Sequence, residues 1–144
     1  MDYLIRPLDA TDYDDLIALW DRSGLPYRPR GRDSRDAIAN EVKRMETCFL
    51  GMFDGDKMIG AIIGTSDGRK GWINRLAIDP DYRGKRLAGF LIEECEKALR
   101  EQGLKVIAAL IEEENLPSIA AFKRAGYHYH PEIYYFSKRE TDDD

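Results

Sequence analysis

Residues 72–111 constrain the fold of this 144-residue chain more than any other segment. An apolar strand pattern runs into a turn at Asp79-Pro80, and a helical pattern with apolar residues at every fourth position begins at Leu87. The continuous apolar run over residues 105–111 predicts a second, buried strand. A crossover of this kind is right-handed and makes its two strands parallel neighbours in one sheet.

Periodicity in the rest of the chain predicts the element order βααβββαβαββ. The predicted strands are residues 3–8, 47–53, 57–65, 72–78, 105–111, 127–130 and 133–137. Helices are predicted to begin near Thr11, Ser34 and Leu87, and a fourth is capped by Asn115 or Leu116. This order predicts one α/β (α+β) domain over residues 1–138, with a mixed sheet and helices on both faces. The charged tail 139–144 is expected to be disordered.

Composition narrows the class of protein. A content of 43% hydrophobic and 34% charged residues is typical of a soluble globular domain. No apolar run approaches the roughly 18 residues of a membrane span and no secretory pattern is present, so a cytoplasmic protein without a membrane partner is expected. The net charge of -5 argues against a nucleic-acid partner. Cys48 and Cys95 lack metal or redox spacing, which predicts buried free thiols.

The turn between the strand and the helix of the crossover has the character of a phosphate cradle. Residues 83–89 are small or basic, and they lead directly into the helix. The free amides and the positive dipole end of a helix attract an anion, and small residues let it approach closely. The pattern therefore predicts an anion site and leaves the identity of the anion to the rest of the chain.

A loop motif and a helix motif carry a family resemblance. The loop Arg83-Gly84-Lys85-Arg86-Leu87-Ala88 is similar to the pattern Arg/Gln-x-x-Gly-x-Gly/Ala. Residues 115–122, followed by Gly126-Tyr127, are similar to the pattern Asn-x-x-Ala/Ser-(x)3-Tyr and its Gly-aromatic pair. Both motifs, in this order of elements, resemble the GNAT N-acetyltransferase superfamily over nearly the whole chain.

The resemblance implies a mostly antiparallel sheet of about six to seven strands, in which parallel fourth and fifth strands splay apart around acetyl-CoA (coenzyme A). It also implies that cradle amides hold the pyrophosphate, that Leu76 and Ile78 pair with the pantetheine arm, and that an amide near Ile78 polarises the thioester carbonyl. No metal is implied. The residues that match the family's cofactor site are Leu76, Ala77, Ile78, Arg83, Gly84, Lys85, Arg86, Leu87, Ala88, Gly89, Asn115 and Phe122.

The chain departs from the family pattern at two positions. Arg86 stands where the loop motif has its first glycine, and a side chain there either is strained at positive φ or adds a cation in a right-handed backbone. Phe122 stands where many members have a tyrosine that protonates the departing thiolate. Phenylalanine has no proton to donate, so this position cannot supply the general acid.

Catalytic candidates are therefore sought elsewhere. Glu112 either belongs to a solvated acidic turn before a helix N-terminus or accepts the amine proton through a water. Asn74, on the fourth strand beside Arg75, either holds such a water or is a satisfied strand amide. Tyr134, on the predicted last strand, either replaces the missing hydroxyl or is a packing residue.

The acceptor is expected to bind near the loop between the first two helices. The residues assigned to it are Tyr27, Arg28, Arg30 and, on the last strand, Tyr135. Together with Arg32 and Arg35 the loop suggests a carboxylate or phosphate on the acceptor. The alternative is a solvated loop whose charges are balanced by Asp33, Asp36 and Glu41.

The leading hypothesis is transfer of an acetyl group from acetyl-CoA to a primary amine of a small molecule or peptide, by direct attack in a ternary complex. The alternative is a catalytically silent domain that binds coenzyme A as a sensor or scaffold.

His128 and His130 are interpreted as surface residues, not metal ligands. The aromatic run 127–136 additionally suggests a homodimer contact.

Overall fold

A computed structural model of the protein describes residues 3–144. The strands are β1 Leu4–Pro7, β2 Cys48–Asp54, β3 Lys57–Ser66, β4 Gly71–Ile78 and β5 Ile107–Ala109. The α-helices are α1 Tyr13–Ser23, α2 Arg35–Glu41, α3 Leu87–Glu101 and α4 Leu116–Arg124, and short 3-10 turns occur at Ala10–Asp12 and Pro80–Tyr82. The five strands form one sheet in sequence order. β1 to β4 are antiparallel neighbours, and β5 pairs with β4 in parallel.

The mixed, mostly antiparallel sheet confirms the predicted fold class and the parallel crossover, but the strand count is lower than predicted. Residues 127–130 and 133–137 form no strand. Most of their aromatic side chains are exposed, Phe136 to 89%, whereas Tyr127 packs against the core and donates its hydroxyl to Glu96. Aromatic residues favour strands because they pack on a half-buried pleated surface. The segment after Tyr127 has no such surface beside it, since its aromatic side chains are exposed. Pro131, at the turn between the two predicted strands, also lacks an amide donor.

Each face of the sheet carries its own apolar core. α3 and α4 cover one face, where Ile62, Leu91 and Phe122 are buried. α1 covers the other face together with α2, where Trp20 and Ile38 are buried. The sheet is therefore sandwiched between two helical layers, as the element order predicts.

Glycines let α3 lie close to the sheet. A Cβ at Gly64, on β3, would overlap the sulfur of Cys95 on α3, and one at Gly71 would lie 2.9 Å from Leu99 Cδ1. Cys48 and Cys95 are both buried and free, which confirms the expectation of buried thiols. Within residues 3–144, no helix is long and apolar enough to cross a membrane.

We expect Gly64→Ala to lower the free energy of unfolding by about 1–3 kcal/mol, because the added methyl group would overpack the contact between β3 and α3. Gly89→Ala is the matched control, since a Cβ at Gly89 meets nothing within 4 Å. On helix propensity alone it should raise stability by up to about 1 kcal/mol. Urea denaturation measures both, and equal effects of the two substitutions would contradict close packing at Gly64.

Candidate active site

The site begins where β4 loses one of its two neighbours. β3 pairs with β4 along its length to Ile78, whereas β5 pairs only with Gly71, Trp72 and Ile73. Beyond Ile73 the two parallel strands separate, and residues 74–78 have one unpaired edge. Asp79 N donates to Ile59 O on β3 at 2.8 Å. Because amide directions alternate along a strand, the N–H of Ile78 points to the open edge.

A cavity of about 580 Å³ lies at this open edge. Its walls come from the end of β4, the cradle, the loop after β5, the start of α4 and the loop after α1. Nine of the twelve residues predicted to bind the cofactor line it, namely Leu76, Ala77, Ile78, Arg83, Gly84, Arg86, Leu87, Ala88 and Asn115.

The other three predicted cofactor residues lie outside this cavity. Lys85 Nζ lies 5.3 Å from the centroid of the Tyr82 ring. Gly89 lines a neighbouring depression between α3 and α4. Phe122 is buried in the core beneath α4, where its ring packs edge-to-face on Tyr127 with centroids 4.9 Å apart.

The cradle has the backbone of a glycine-rich anion loop. Gly84 has φ +83°, and Arg86 has φ +59°, the only positive φ of a residue other than glycine between residues 3 and 144. Arg86 is thus in the left-handed conformation that glycine adopts at low cost. The sequence left open backbone strain or an added cation in a right-handed backbone, and the structure supports backbone strain. Arg86 immediately precedes α3, whose first turn contains no acidic residue. The first amides of α3 have no intrahelical acceptors, so they can bind an anion.

A buried carboxylate holds the entrance to the cradle. Asp79 is 2% exposed, and it accepts from the Asp81 amide at 2.8 Å and from Arg22 Nε on α1 at 2.7 Å. Burial raises the pKa of Asp79, but the hydrogen bonds and the charges of Arg22 and Lys57 leave it below its ordinary value. Arg83 Nη2 also donates to Ser23 O at 3.1 Å, so the cradle is tied twice to the end of α1.

A buried ion pair fixes the loop between α1 and α2. Arg75 Nη2 on β4 donates to Asp33 Oδ2 at 2.8 Å, and the two side chains are 10% and 5% exposed. Arg75 also donates to Pro26 O, next to the cavity wall. Burial lowers the pKa of Arg75, and the charge of Asp33 opposes that shift. Asp33 is therefore first a partner of β4, and it also lies 3.7 Å from Nε of the exposed Arg32, as the alternative of a balanced loop predicts.

The three catalytic candidates lie in different surroundings. Glu112 lines the cavity. Asn74 lies outside the cavity, and its side-chain amide donates to Thr65 Oγ1 at 3.0 Å. This is the satisfied strand amide that the sequence offered as the alternative to a water-binding residue. Tyr134 is 81% exposed on the irregular C-terminal segment, because the strand predicted to carry it is absent.

The cavity also contains polar residues that sequence reasoning did not assign. Glu114 and Ser118 line it together with Glu112. Asn115 caps α4 with its side-chain oxygen, which accepts from the Ser118 amide at 3.3 Å, so its NH2 group is the part that can donate into the cavity. Ser118 occupies the Ala/Ser position of the helix motif, which is the signal that could have identified it.

The predicted acceptor residues are not gathered in one place. Tyr27 is half-buried against Trp20, with ring centroids 6.3 Å apart. Arg28 and Arg30 contact the C-terminal tail. Tyr135 is 69% exposed on the C-terminal segment.

Comparison with known proteins places this site in a family. A sequence model of the acetyltransferase (GNAT) family matches residues 13–127. The chain belongs to this family. Acetyltransferase SG1711 of Sodalis glossinidius is 29% identical over 139 residues, which cover 96% of each chain.

Two solved structures share the fold of this GNAT chain. The PaiA N-acetyltransferase of Thermoplasma acidophilum, in complex with coenzyme A, has a TM-score of 0.77 and 23% identity over 87% of this chain and 89% of that one. The aminoglycoside 6'-N-acetyltransferase AAC(6')-IG of Acinetobacter haemolyticus also has a TM-score of 0.77, with 16% identity over 96% and 99% of the two chains.

Family membership makes this chain an acyl-CoA-dependent acetyltransferase with acetyl-CoA as its co-substrate. The cradle fits that group, because a helix N-terminus free of acidic residues meets an unpaired strand edge in one cavity.

His128 and His130 pack edge-to-face, with ring centroids 4.8 Å apart. In the described part of the chain, no three His, Cys, Asp or Glu side chains are grouped to hold a metal ion.

We expect Arg86→Gly to raise the free energy of unfolding by about 1 kcal/mol, because glycine removes the strain of a side chain at positive φ. Arg86→Ala removes the same guanidinium but keeps a Cβ, so it should give no comparable gain. Urea denaturation compares the two variants. Equal stabilisation by alanine would assign the effect to repulsion between cradle cations instead of to backbone strain.

Proposed function

We propose that this GNAT enzyme transfers the acetyl group of acetyl-CoA to a primary amine by direct attack within a ternary complex. The observation that supports the proposal best is the cavity itself. It brings together the N-terminus of α3, the open edge of β4 and the carboxylate of Glu112. An anion site, a strand-pairing edge and a proton acceptor are what such a transfer requires.

In this proposal the backbone does most of the binding. The amides that follow Arg86, with the charge of Arg83, hold the pyrophosphate of coenzyme A, and the edge of β4 pairs with the pantetheine amides. The N–H of Ile78, which points to the open edge, polarises the acetyl carbonyl. Acetyl-CoA supplies an acyl group on a thioester, whose thiolate is a good leaving group.

Proton transfer falls to the polar residues of the cavity. An alkylammonium with a pKa of about 10 must lose a proton before it can attack. Glu112 accepts that proton through a water, as the sequence suggested. Phe122 has no hydroxyl and is buried, so water or the Ser118 hydroxyl returns a proton to the thiolate.

A silent domain that binds coenzyme A is the second candidate function. The buried phenylalanine at the family's tyrosine position favours it. Tight binding of the cofactor without turnover across a broad panel of amines would support this alternative over the enzyme.

The acceptor that we propose is a small molecule or peptide with a primary amine. The aminoglycoside acetyltransferase of Acinetobacter haemolyticus, which shares the fold, acts on an amine of a small molecule.

A homodimer stays a prediction. The exposed side chains of Tyr129, Ile133 and Phe136 offer an apolar surface for it.

We expect Ala88→Asp to weaken coenzyme A binding at least tenfold, because it places a carboxylate beside the bound phosphates in the cavity wall. An acidic residue in the first turn favours the helix itself, so the fold should be retained. Phe90→Asp is the matched control, with the same charge in the same turn but outside this cavity. Isothermal titration with coenzyme A measures both, and equal losses would contradict the cradle assignment.

We expect Glu112→Gln to lower kcat by about 10²-fold with little change in coenzyme A affinity, because the amide cannot accept the amine proton. Glu113→Gln is the control, since Glu113 belongs to the same turn but does not line the cavity. Release of free thiol measures the rate with an amine that supports turnover. An unchanged rate for Glu112→Gln, with a slow Glu114→Gln, would move the role to Glu114.

A further inference from the structure

The C-terminal tail binds the loop that was predicted to recognise the acceptor. We call residues 28–32 the arginine loop and residues 139–144 the acidic tail. Arg30 Nη2 lies 2.7 Å from Asp143 Oδ1, and Arg28 Nη1 donates to the main-chain carbonyl of Asp142 at 3.1 Å. One contact is with a carboxylate and the other with a peptide carbonyl, so the loop binds the tail as an acidic peptide.

The loop is held rigidly for this contact. The buried Asp33 carboxylate accepts from the Arg28 amide at 2.7 Å and from Arg75 on β4 at 2.8 Å. Tyr13 on α1 donates its hydroxyl to Asp33 O at 2.7 Å. These bonds fix the backbone of the loop, while the arginine side chains remain on its outer surface.

Gly31 follows Arg30 directly and leaves room for a peptide backbone. A Cβ at Gly31 would overlap the main-chain oxygen of Asp143. Gly31 is not among the glycines at positive φ, so a close approach, and not backbone conformation, is what favours glycine here. The loop therefore offers a backbone gap beside the two cations that bind the tail.

Hydrogen bonds within the acidic tail form a turn. The Asp144 carboxylate accepts from the amides of Glu140 and Thr141 at 3.1 and 2.9 Å. The resulting turn presents Asp142 and Asp143 to the arginine loop. The contact is exposed, with Arg30 79% and Asp143 49% accessible, so it is weak and is screened by salt.

We propose that the arginine loop recognises an acidic peptide segment of the acceptor, and that the acidic tail is its intramolecular competitor. That the bound peptide belongs to the acetyl acceptor rests on the proposed function. The binding of an acidic peptide to the loop does not. Pro26 lines the cavity only two residues before Arg28, so a peptide on the loop is positioned to reach the cavity. A tethered tail competes at a high local concentration, yet a weak exposed contact lets a better ligand displace it.

The test uses the full chain without acetyl-CoA, so it is independent of catalysis. The probe is a fluorescent peptide of sequence Glu-Thr-Asp-Asp-Asp, and binding is measured by anisotropy at low salt. Asp143→Ala should bind the probe about threefold to tenfold more tightly than the wild type, because its own tail no longer competes. Adding Arg30→Ala or Gly31→Ala to Asp143→Ala should remove that gain.

Arg35→Ala is the matched control in the Asp143→Ala background. Arg35 pairs with Asp14 at 2.7 Å and lies over the Tyr13 ring, away from the tail. It should leave the affinity unchanged. Equal affinity of wild type and Asp143→Ala, or equal losses with Arg30→Ala and Arg35→Ala, would overturn the proposal. A bound peptide with a primary amine that is never acetylated would instead count against the proposed function alone.

Discussion

The unpaired edge of β4 is the constraint on which the site depends. β4 is paired on one side to its end and on the other side for only three residues. Backbone groups on a free strand edge need partners, and a ligand with amides of its own can provide them. Because the crossover helix leaves from the carboxyl end of β4, its N-terminus lies at that edge. The loop after β5 returns to the same end of the sheet and places Glu112 there.

The surroundings of this edge are held by two ion pairs and one hydrogen bond between distant parts of the chain. Arg22 with Asp79 and Arg83 with Ser23 join α1 to the cradle, and Arg75 with Asp33 joins β4 to the arginine loop. Each bridge includes an element that lines the cavity. Removal of one partner of a buried pair leaves an uncompensated charge, which typically costs about 3–5 kcal/mol. Loss of Arg75 or Asp33 would therefore disturb both the backbone of the loop and β4, the strand that carries the open edge.

The sequence predicts well what local pattern determines. The crossover, the start of α3 at Leu87 and nine cavity residues follow from periodicity and from two short motifs. The buried strand predicted over residues 105–111 is only Ile107–Ala109 in the structure, and none of its residues is buried. β5 is at the edge of the sheet and its pairing with β4 ends at Ala109, so the flanking Val106 and Leu110 are 52% and 48% exposed. The pairing of Arg75 with Asp33 joins residues 42 positions apart and has no local signature. Counting charges within the loop predicts the 3.7 Å contact of Asp33 with Arg32, but it misses the closer, buried contact with Arg75.

Because Phe122 is buried and has no hydroxyl, the question is how much of the rate depends on a side-chain general acid. A general acid contributes about 10²–10⁴-fold to a rate, whereas alignment of two reactants corresponds to effective concentrations of about 10⁵–10⁸ M. In the function that we propose, the strand edge and the helix N-terminus align the reactants through backbone groups, and these groups do not depend on which side chain stands at position 122. A thiolate is also a good leaving group, so it depends less on a proton donor than an alkoxide does. Loss of the family's tyrosine is therefore compatible with an enzyme whose rate comes mainly from positioning.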